Sequence, residues 1–122
     1  MKILVVDDER DIQTLFEQRF RKEIKEKLLE FAFAFSGEEA LTYLEQPEHQ
    51  TVLILSDINM PGMSGLELLR HIKQRYLIPP PVVMMITAYG DAENFSKAKE
   101  LGADDFLTKP VDFNYLREKF KP

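Results

Sequence analysis

The apolar positions of this chain alternate between two rhythms. Ile3, Leu4, Val5 and Val6 form an unbroken run that ends in Asp7, Asp8 and Glu9. Val52, Leu53, Ile54 and Leu55 form a second, running through Ser56 into Asp57 and a Pro61-Gly62 turn, and Val82 to Ile86 form a third, ending at Thr87-Ala88. Short apolar runs rich in β-branched residues and bounded by turn signals predict strands buried on both faces. Leu29, Phe31, Phe33 and Phe35 instead alternate, with Ala32 and Ala34 between them, which predicts a strand nearer an edge. Residues 103–108 give a last short strand, stopped by Lys109-Pro110.

Between these runs the period becomes helical. From Asp11, the residues Ile12, Leu15, Phe16, Phe20 and Ile24 fall on one face of a single helix, and charges fall on the other. Glu17 with Arg21 and Glu23 with Lys27 are i,i+4 pairs in the favourable order. Ser36-Gly37-Glu38-Glu39 and Ser64-Gly65-Leu66-Glu67 both fit the capping box, in which the Ser side chain accepts from the N3 amide. The first opens a helix through Ala40, Leu41 and Leu44, ended by Pro47. The second opens one through Leu66, Leu69 and Ile72 toward Tyr76, before the stop at Pro79-Pro80-Pro81. A fourth helix is expected over 91–100, with Ala92, Phe95, Ala98 and Leu101 inward and Gly102 as its C′ residue. Asp112 caps a fifth, with Phe113, Leu116 and Phe120 inward.

Five strands alternating with five helices imply an α/β fold: a parallel sheet covered on both faces and joined by right-handed crossovers. Residues 1–122 read as one domain, with no internal repeat and no dividing linker. The 44% apolar and 30% charged composition is that of a globular chain. No apolar run approaches the ~20 residues of a membrane span, and the N-terminus lacks a signal-peptide pattern. Without cysteine there is neither a disulfide framework nor a thiol nucleophile. A cytoplasmic location is therefore expected. A net charge of −5 argues against direct nucleic-acid binding, and the basic cluster Arg19, Arg21, Lys22, Lys25, Lys27 reads as a solvated helix face because glutamates are interleaved with it.

What ends each strand carries the chemistry. The first ends in Asp7-Asp8, the third in Asp57, the fourth in Thr87 and the fifth in Lys109. Crossover geometry brings these ends to one edge of the sheet, where open α/β sheets bind their ligands. Three carboxylates in one crevice repel one another and raise their pKa values. A divalent cation removes that repulsion, and carboxylates without His or Cys favour Mg²⁺. A fixed ammonium and a hydroxyl then suit the remaining oxygens of a phosphoryl group. Each residue also has a plainer role. Asp7 or Asp8 can cap the first helix, Asp57 can be a loop acid, Lys109 a snorkelling surface lysine, Thr87 a strand-end β-former and Phe106 a core aromatic. His49 and His71 read as surface residues without partners.

Taken together and in this order, Val5-Val6-Asp7-Asp8-Glu9, Ser56-Asp57-Ile58-Asn59-Met60-Pro61-Gly62-Met63-Ser64-Gly65, Ile86-Thr87-Ala88 and Phe106-Leu107-Thr108-Lys109-Pro110 resemble the receiver domain of two-component response regulators, over essentially the whole chain. The resemblance implies a doubly wound, flavodoxin-like sheet of order 2-1-3-4-5. It implies that Asp57 accepts a phosphoryl group from a sensor histidine kinase or phosphotransfer protein. Asp8, Asp57 and the Asn59 backbone carbonyl would hold Mg²⁺, with Asp7 acting through water. Lys109 would pair with the phosphoryl oxygens, Thr87 would be drawn toward them, and the Lys109–Pro110 bond would be cis. Thr87 and Phe106 would form the switch, the latter a Phe where the family often has Tyr. The fourth helix, fifth strand and fifth helix would respond, a face the family also uses for homodimers and partners. By this reading the domain is a signalling switch and not an enzyme with a separate substrate, whether free-standing or followed by an output domain. Two other classes share some of these features. A pseudo-receiver keeps the fold as an interaction module but takes no phosphate. A haloacid-dehalogenase-type phosphatase also uses a strand-end Asp with Mg²⁺, but it wants Asp-x-Asp on one strand and a cap insertion, neither of which is present. A nucleotide-binding domain is disfavoured because no Gly-rich turn follows the first strand.

Overall fold

The computed structural model describes residues 1–75 and 80–121. In chain order its elements are β1 (Lys2–Val6), α1 (Asp11–Arg19), α2 (Arg21–Lys25), β2 (Glu30–Ala34), α3 (Gly37–Leu44), β3 (Leu53–Asp57), α4 (Gly65–Gln74), β4 (Val82–Thr87), α5 (Ala92–Glu100), β5 (Asp105–Thr108) and α6 (Phe113–Phe120). The expected run of α4 to Tyr76, the stop at Pro79 and the terminal Pro122 lie outside the described residues. All strand pairs are parallel, in the order β2-β1-β3-β4-β5, so the doubly wound architecture expected from the sequence is present.

Strand pleating sorts the core into two layers. Leu4, Val6, Ile54, Val83 and Met85 face one side, where Ala40, Leu44, Leu68, Leu69, Ile72 and Ala98 of α3, α4 and α5 cover them. Ile3, Val5, Leu53, Leu55, Met84 and Ile86 face the other, under Phe16, Phe20, Leu116 and Phe120. Successive residues of one strand point to opposite faces, so a strand covered on both sides reads as a near-continuous apolar run. β3 runs down the middle and is buried along its whole length, Asp57 included.

Among the described residues there are six helices where the sequence pattern gives five. The first helix breaks at Phe20, whose φ of −111° and ψ of 22° leave the helical region. At the break, the carbonyl of Arg19 accepts a hydrogen bond from Arg117 Nη2 on α6. The break also turns the fully buried Phe20 ring into an aromatic cluster with Phe16, Phe31, Phe113 and Phe120. α2 then closes on Lys27, at a positive φ of 61°.

Capping follows the sequence closely. Ser36 Oγ accepts from Glu39 N at 3.0 Å and Ser64 Oγ from Glu67 N at 3.2 Å. Glu39 reaches back to accept from Phe35 N at 3.3 Å, one residue earlier than the reciprocal box requires. Asp91 and Asp112 cap α5 and α6. Gly102, at φ 94°, follows α5 in the left-handed conformation that favours glycine, and Ala103 N donates to Ala98 O at 3.0 Å in the Schellman pattern.

Some side chains depart from the expected faces. Leu15 and Phe95 are both exposed, because the short helices α1 and α5 bury only a narrow stripe, filled by Phe16 and Ala98. Ala92, expected inward, is exposed, and so is Val52, which precedes β3. His49 is half-buried and partnered: its Nδ1 accepts from Thr51 N at 2.9 Å, and the Tyr43 ring lies 6.5 Å away. His71 is exposed.

Candidate functional site

Parallel pairing aligns the C-terminal ends of β1, β3, β4 and β5, and the acidic residues follow from that alignment. Val6 pairs with Ser56, Asp57 with Ile86, and Thr87 with Thr108. Asp7, Asp8 and Asp57 each bring a carboxylate oxygen to within 4.8 Å of the others. Asp7 and Asp57 are buried, at 4% and 3% exposed, while Asp8 is open to solvent. Lys109 Nζ donates to Asp57 Oδ2 at 3.0 Å. The Lys109–Pro110 peptide bond is cis, and Lys109 N donates to Thr87 O at 2.9 Å.

Burial sets the electrostatics. Desolvation pushes the Asp7 carboxyl above the ordinary carboxylate range; the Glu9 amide that it accepts at 2.9 Å opposes this, and the nearby charge of Asp57 adds to it. For Lys109 partial burial works downward, but the hydrogen bond to Asp57 and the charges of Asp57, Asp7 and Glu9 outweigh it, so its ammonium is held above the ordinary lysine value. The site therefore keeps a fixed cation against one buried carboxylate, with a second buried carboxylate in an unfavourable environment.

The other expected residues have partners of their own or face solvent. The Thr87 hydroxyl is buried and donates to Leu107 O at 3.3 Å, on β5. Phe106 is half-buried, with its ring centroid 4.4 Å from that of Phe95 on α5. Asn59 is exposed in the loop two residues beyond β3. Two residues escaped the sequence reading: Ser56, whose hydroxyl donates to Asp57 O at 2.9 Å, and Gly65, packed against the backbone of Asp57 and Ile58. A lone hydroxyl inside an apolar strand run was the signal available for Ser56.

A strand-end carboxylate flanked by two further acids and gripped by a lysine, on a parallel 2-1-3-4-5 sheet, defines the class of aspartate-centred doubly wound domains. A family model for the response regulator receiver domain matches residues 3–121, and the chain belongs to that family. The response regulator protein PilR of Pseudomonas aeruginosa is 41% identical over 117 residues, covering 96% of this chain but 24% of that protein, so this chain spans about a quarter of that relative. Among solved structures, a response regulator receiver domain protein from Clostridium thermocellum aligns with a TM-score of 0.82 at 30% identity, covering 98% of this chain and 90% of that one. The signal receiver domain of a signal transduction histidine kinase from Syntrophus aciditrophicus aligns with a TM-score of 0.80 at 29% identity, covering 98% and 86%. The protein is thus a receiver domain of the two-component response regulator type, a signalling domain. No described helix is long and apolar enough to cross a membrane.

Proposed function

We propose that residues 1–122 act as a phosphoacceptor switch, taking a phosphoryl group onto Asp57 from a phosphohistidine of a sensor kinase or phosphotransfer protein. The observation that carries this reading is the buried Asp57 carboxylate, held at 3.0 Å by Lys109 with Asp7 and Asp8 beside it. In the transfer, an Asp57 carboxylate oxygen forms the new bond to phosphorus as the P–N bond breaks. The electron pair leaves with the imidazole, and the product is an acyl phosphate. Lys109 then moves its hydrogen bond from the carboxylate to a phosphoryl oxygen and balances the added negative charge.

The donor set fits Mg²⁺: three carboxylates with oxygens within 4.8 Å of one another and no soft ligand among them. Asp8, Asp57 and the Asn59 carbonyl would hold the ion directly, and Asp7 through water. Bound there, Mg²⁺ would neutralise charge on the equatorial phosphoryl oxygens. Asp8, being exposed, would be the ligand through which the ion is reached from solvent.

Phosphorylation makes Asp57 larger and more anionic. Thr87 then exchanges the Leu107 carbonyl for a phosphoryl oxygen, and the Phe106 ring moves into the space beside it, altering the face formed by α5, β5 and α6. A packed element with two positions converts a local charge change into a surface change. The downstream listener is a partner protein, a second copy or an output domain, in the cytoplasm where the phosphohistidine donor resides. The test is intact mass after acetyl phosphate with Mg²⁺. The wild type gains one phosphoryl group and Asp57→Asn gains none; labelling that persists in that variant on Asp7 or Asp8 overturns the assignment.

A further inference from the structure

Ser56 has no part in the transfer chemistry, yet its hydroxyl lies at the centre of the molecule. It is 1% exposed, flanked along β3 by Leu55 and Ile54 and across the sheet by Val6 and Met85, all fully or nearly fully buried. In such surroundings an apolar side chain would bury more favourably, and a hydroxyl is tolerated only with a partner. The partner is the carbonyl oxygen of the very next residue, Asp57, at 2.9 Å. That oxygen is confined from Gly65 as well, where a Cβ would lie 2.1 Å from it and 2.7 Å from Ile58 Cα. The neighbouring groups are pinned in turn: Ile58 N donates to Ile86 O at 3.3 Å, and Gly65 N donates to Ile58 O at 2.7 Å.

We propose that Ser56 is a positioning residue which, with the bare backbone of Gly65 as its abutment, fixes the Asp57–Ile58 peptide plane and so aims the Asp57 carboxylate at Lys109 and the incoming phosphorus. This rests on the phosphoacceptor reading of Asp57. The Asp57 carbonyl carbon and Cβ are both bonded to Asp57 Cα, so a displacement of this peptide that carries Cα with it displaces the carboxylate. Misplacing a reacting group by ~1 Å can lower a rate about a hundredfold. Losing one neutral hydrogen bond, with the Gly65 abutment retained, should release only part of that, roughly fivefold.

The experiment compares wild type, Ser56→Ala and Ser56→Thr, using acetyl phosphate as donor at saturating Mg²⁺. Ser56→Ala is expected to lower the maximal phosphorylation rate about fivefold, roughly the loss of one hydrogen bond, with the half-saturating acetyl phosphate concentration unchanged. Ser56→Thr keeps the hydroxyl and should restore the rate to within about twofold. A hydroxyl that only fills space predicts equal rates for the wild type and Ser56→Ala, since Ala removes a single atom. Exchange of the Ile58 amide is followed in the resting proteins as a readout independent of phosphate, and Ser56→Ala should accelerate it. A wild-type maximal rate in Ser56→Ala overturns the proposal whatever the exchange shows, and so does a Ser56→Thr rate as low as that of Ser56→Ala. Should the wild type itself take no phosphoryl group, the phosphoacceptor reading falls, and Ile58 exchange alone decides whether Ser56 holds this peptide.

Discussion

Asp7 is held in the folded chain at the expense of stability, and replacing it with Asn should make the resting protein more stable. Its carboxylate is 4% exposed, and one of its oxygens lies within 4.8 Å of an Asp57 oxygen. Two unit charges at that distance, in an effective dielectric of about 20, repel by roughly 3 kcal/mol. Burial of the charge is the largest cost and this repulsion adds to it, while the Glu9 amide and Lys109 offset part of the sum, so a net gain of about 1–2 kcal/mol is expected for Asp7→Asn at neutral pH. The Asn side chain keeps an oxygen to accept from Glu9 N, so little else is lost.

The pH dependence follows from the direction of the Asp7 shift. Its folded pKa lies above the ordinary value of 3.8. Protonated Asp7 therefore favours the fold. That contribution is fully present below 3.8 and is lost as pH rises through the folded value. The difference between Asp7→Asn and wild type should accordingly be near zero in the acid limit and grow to its full size at neutral pH. Urea denaturation without Mg²⁺, at a series of pH values, measures it through the midpoint at constant slope. Saturating Mg²⁺ should shrink the neutral-pH gain, because the ion compensates the same repulsion. A lower midpoint for Asp7→Asn at neutral pH, or a gain that is independent of pH, would refute this account of the cluster.

Two further outcomes are expected. Arg117→Gln removes the 2.7 Å pair with Glu23 and the bond to the Arg19 carbonyl, and should destabilise the protein by about 1–3 kcal/mol in urea. The Glu23 carboxyl is held below its ordinary value of 4.5 by the Arg117 hydrogen bond, so its contribution is present above 4.5 and lost as pH falls through the folded value; the variant should lack that acid-side loss. Thr87→Ala should leave Asp57 phosphorylatable but reduce the amide-exchange changes that beryllofluoride with Mg²⁺ produces along α5 and β5, several-fold for the loss of one hydroxyl contact of ~1 kcal/mol; identical changes in wild type and variant would remove Thr87 from the switch.

What was legible in the sequence is what local rules govern. Strand position followed from apolar runs because a strand covered on both faces reads as a near-continuous apolar run, and α3 to α6 started where Ser36, Ser64, Asp91 and Asp112 announced them. The convergence of Asp7, Asp8, Asp57 and Lys109 was legible for a related reason, since parallel crossovers place all strand ends on one edge. The misreadings share the opposite property. The break after Arg19 coincides with a hydrogen bond from Arg117, 98 residues away, and no periodicity within residues 11–25 contains it. His49 looked unpartnered because its partner is a backbone amide two residues on, in an irregular segment whose conformation leaves no mark on side-chain pattern. Ser56 was the residue most open to earlier detection. It is a polar side chain at a position where both faces of the strand are buried, so its hydroxyl had to have a partner. That partner is the carbonyl of the residue whose carboxylate the whole sheet edge surrounds, at 2.9 Å. Where an otherwise apolar strand carries a single hydroxyl directly before its one functional residue, the physical demand for a partner and the demand for a fixed functional group point to the same atom.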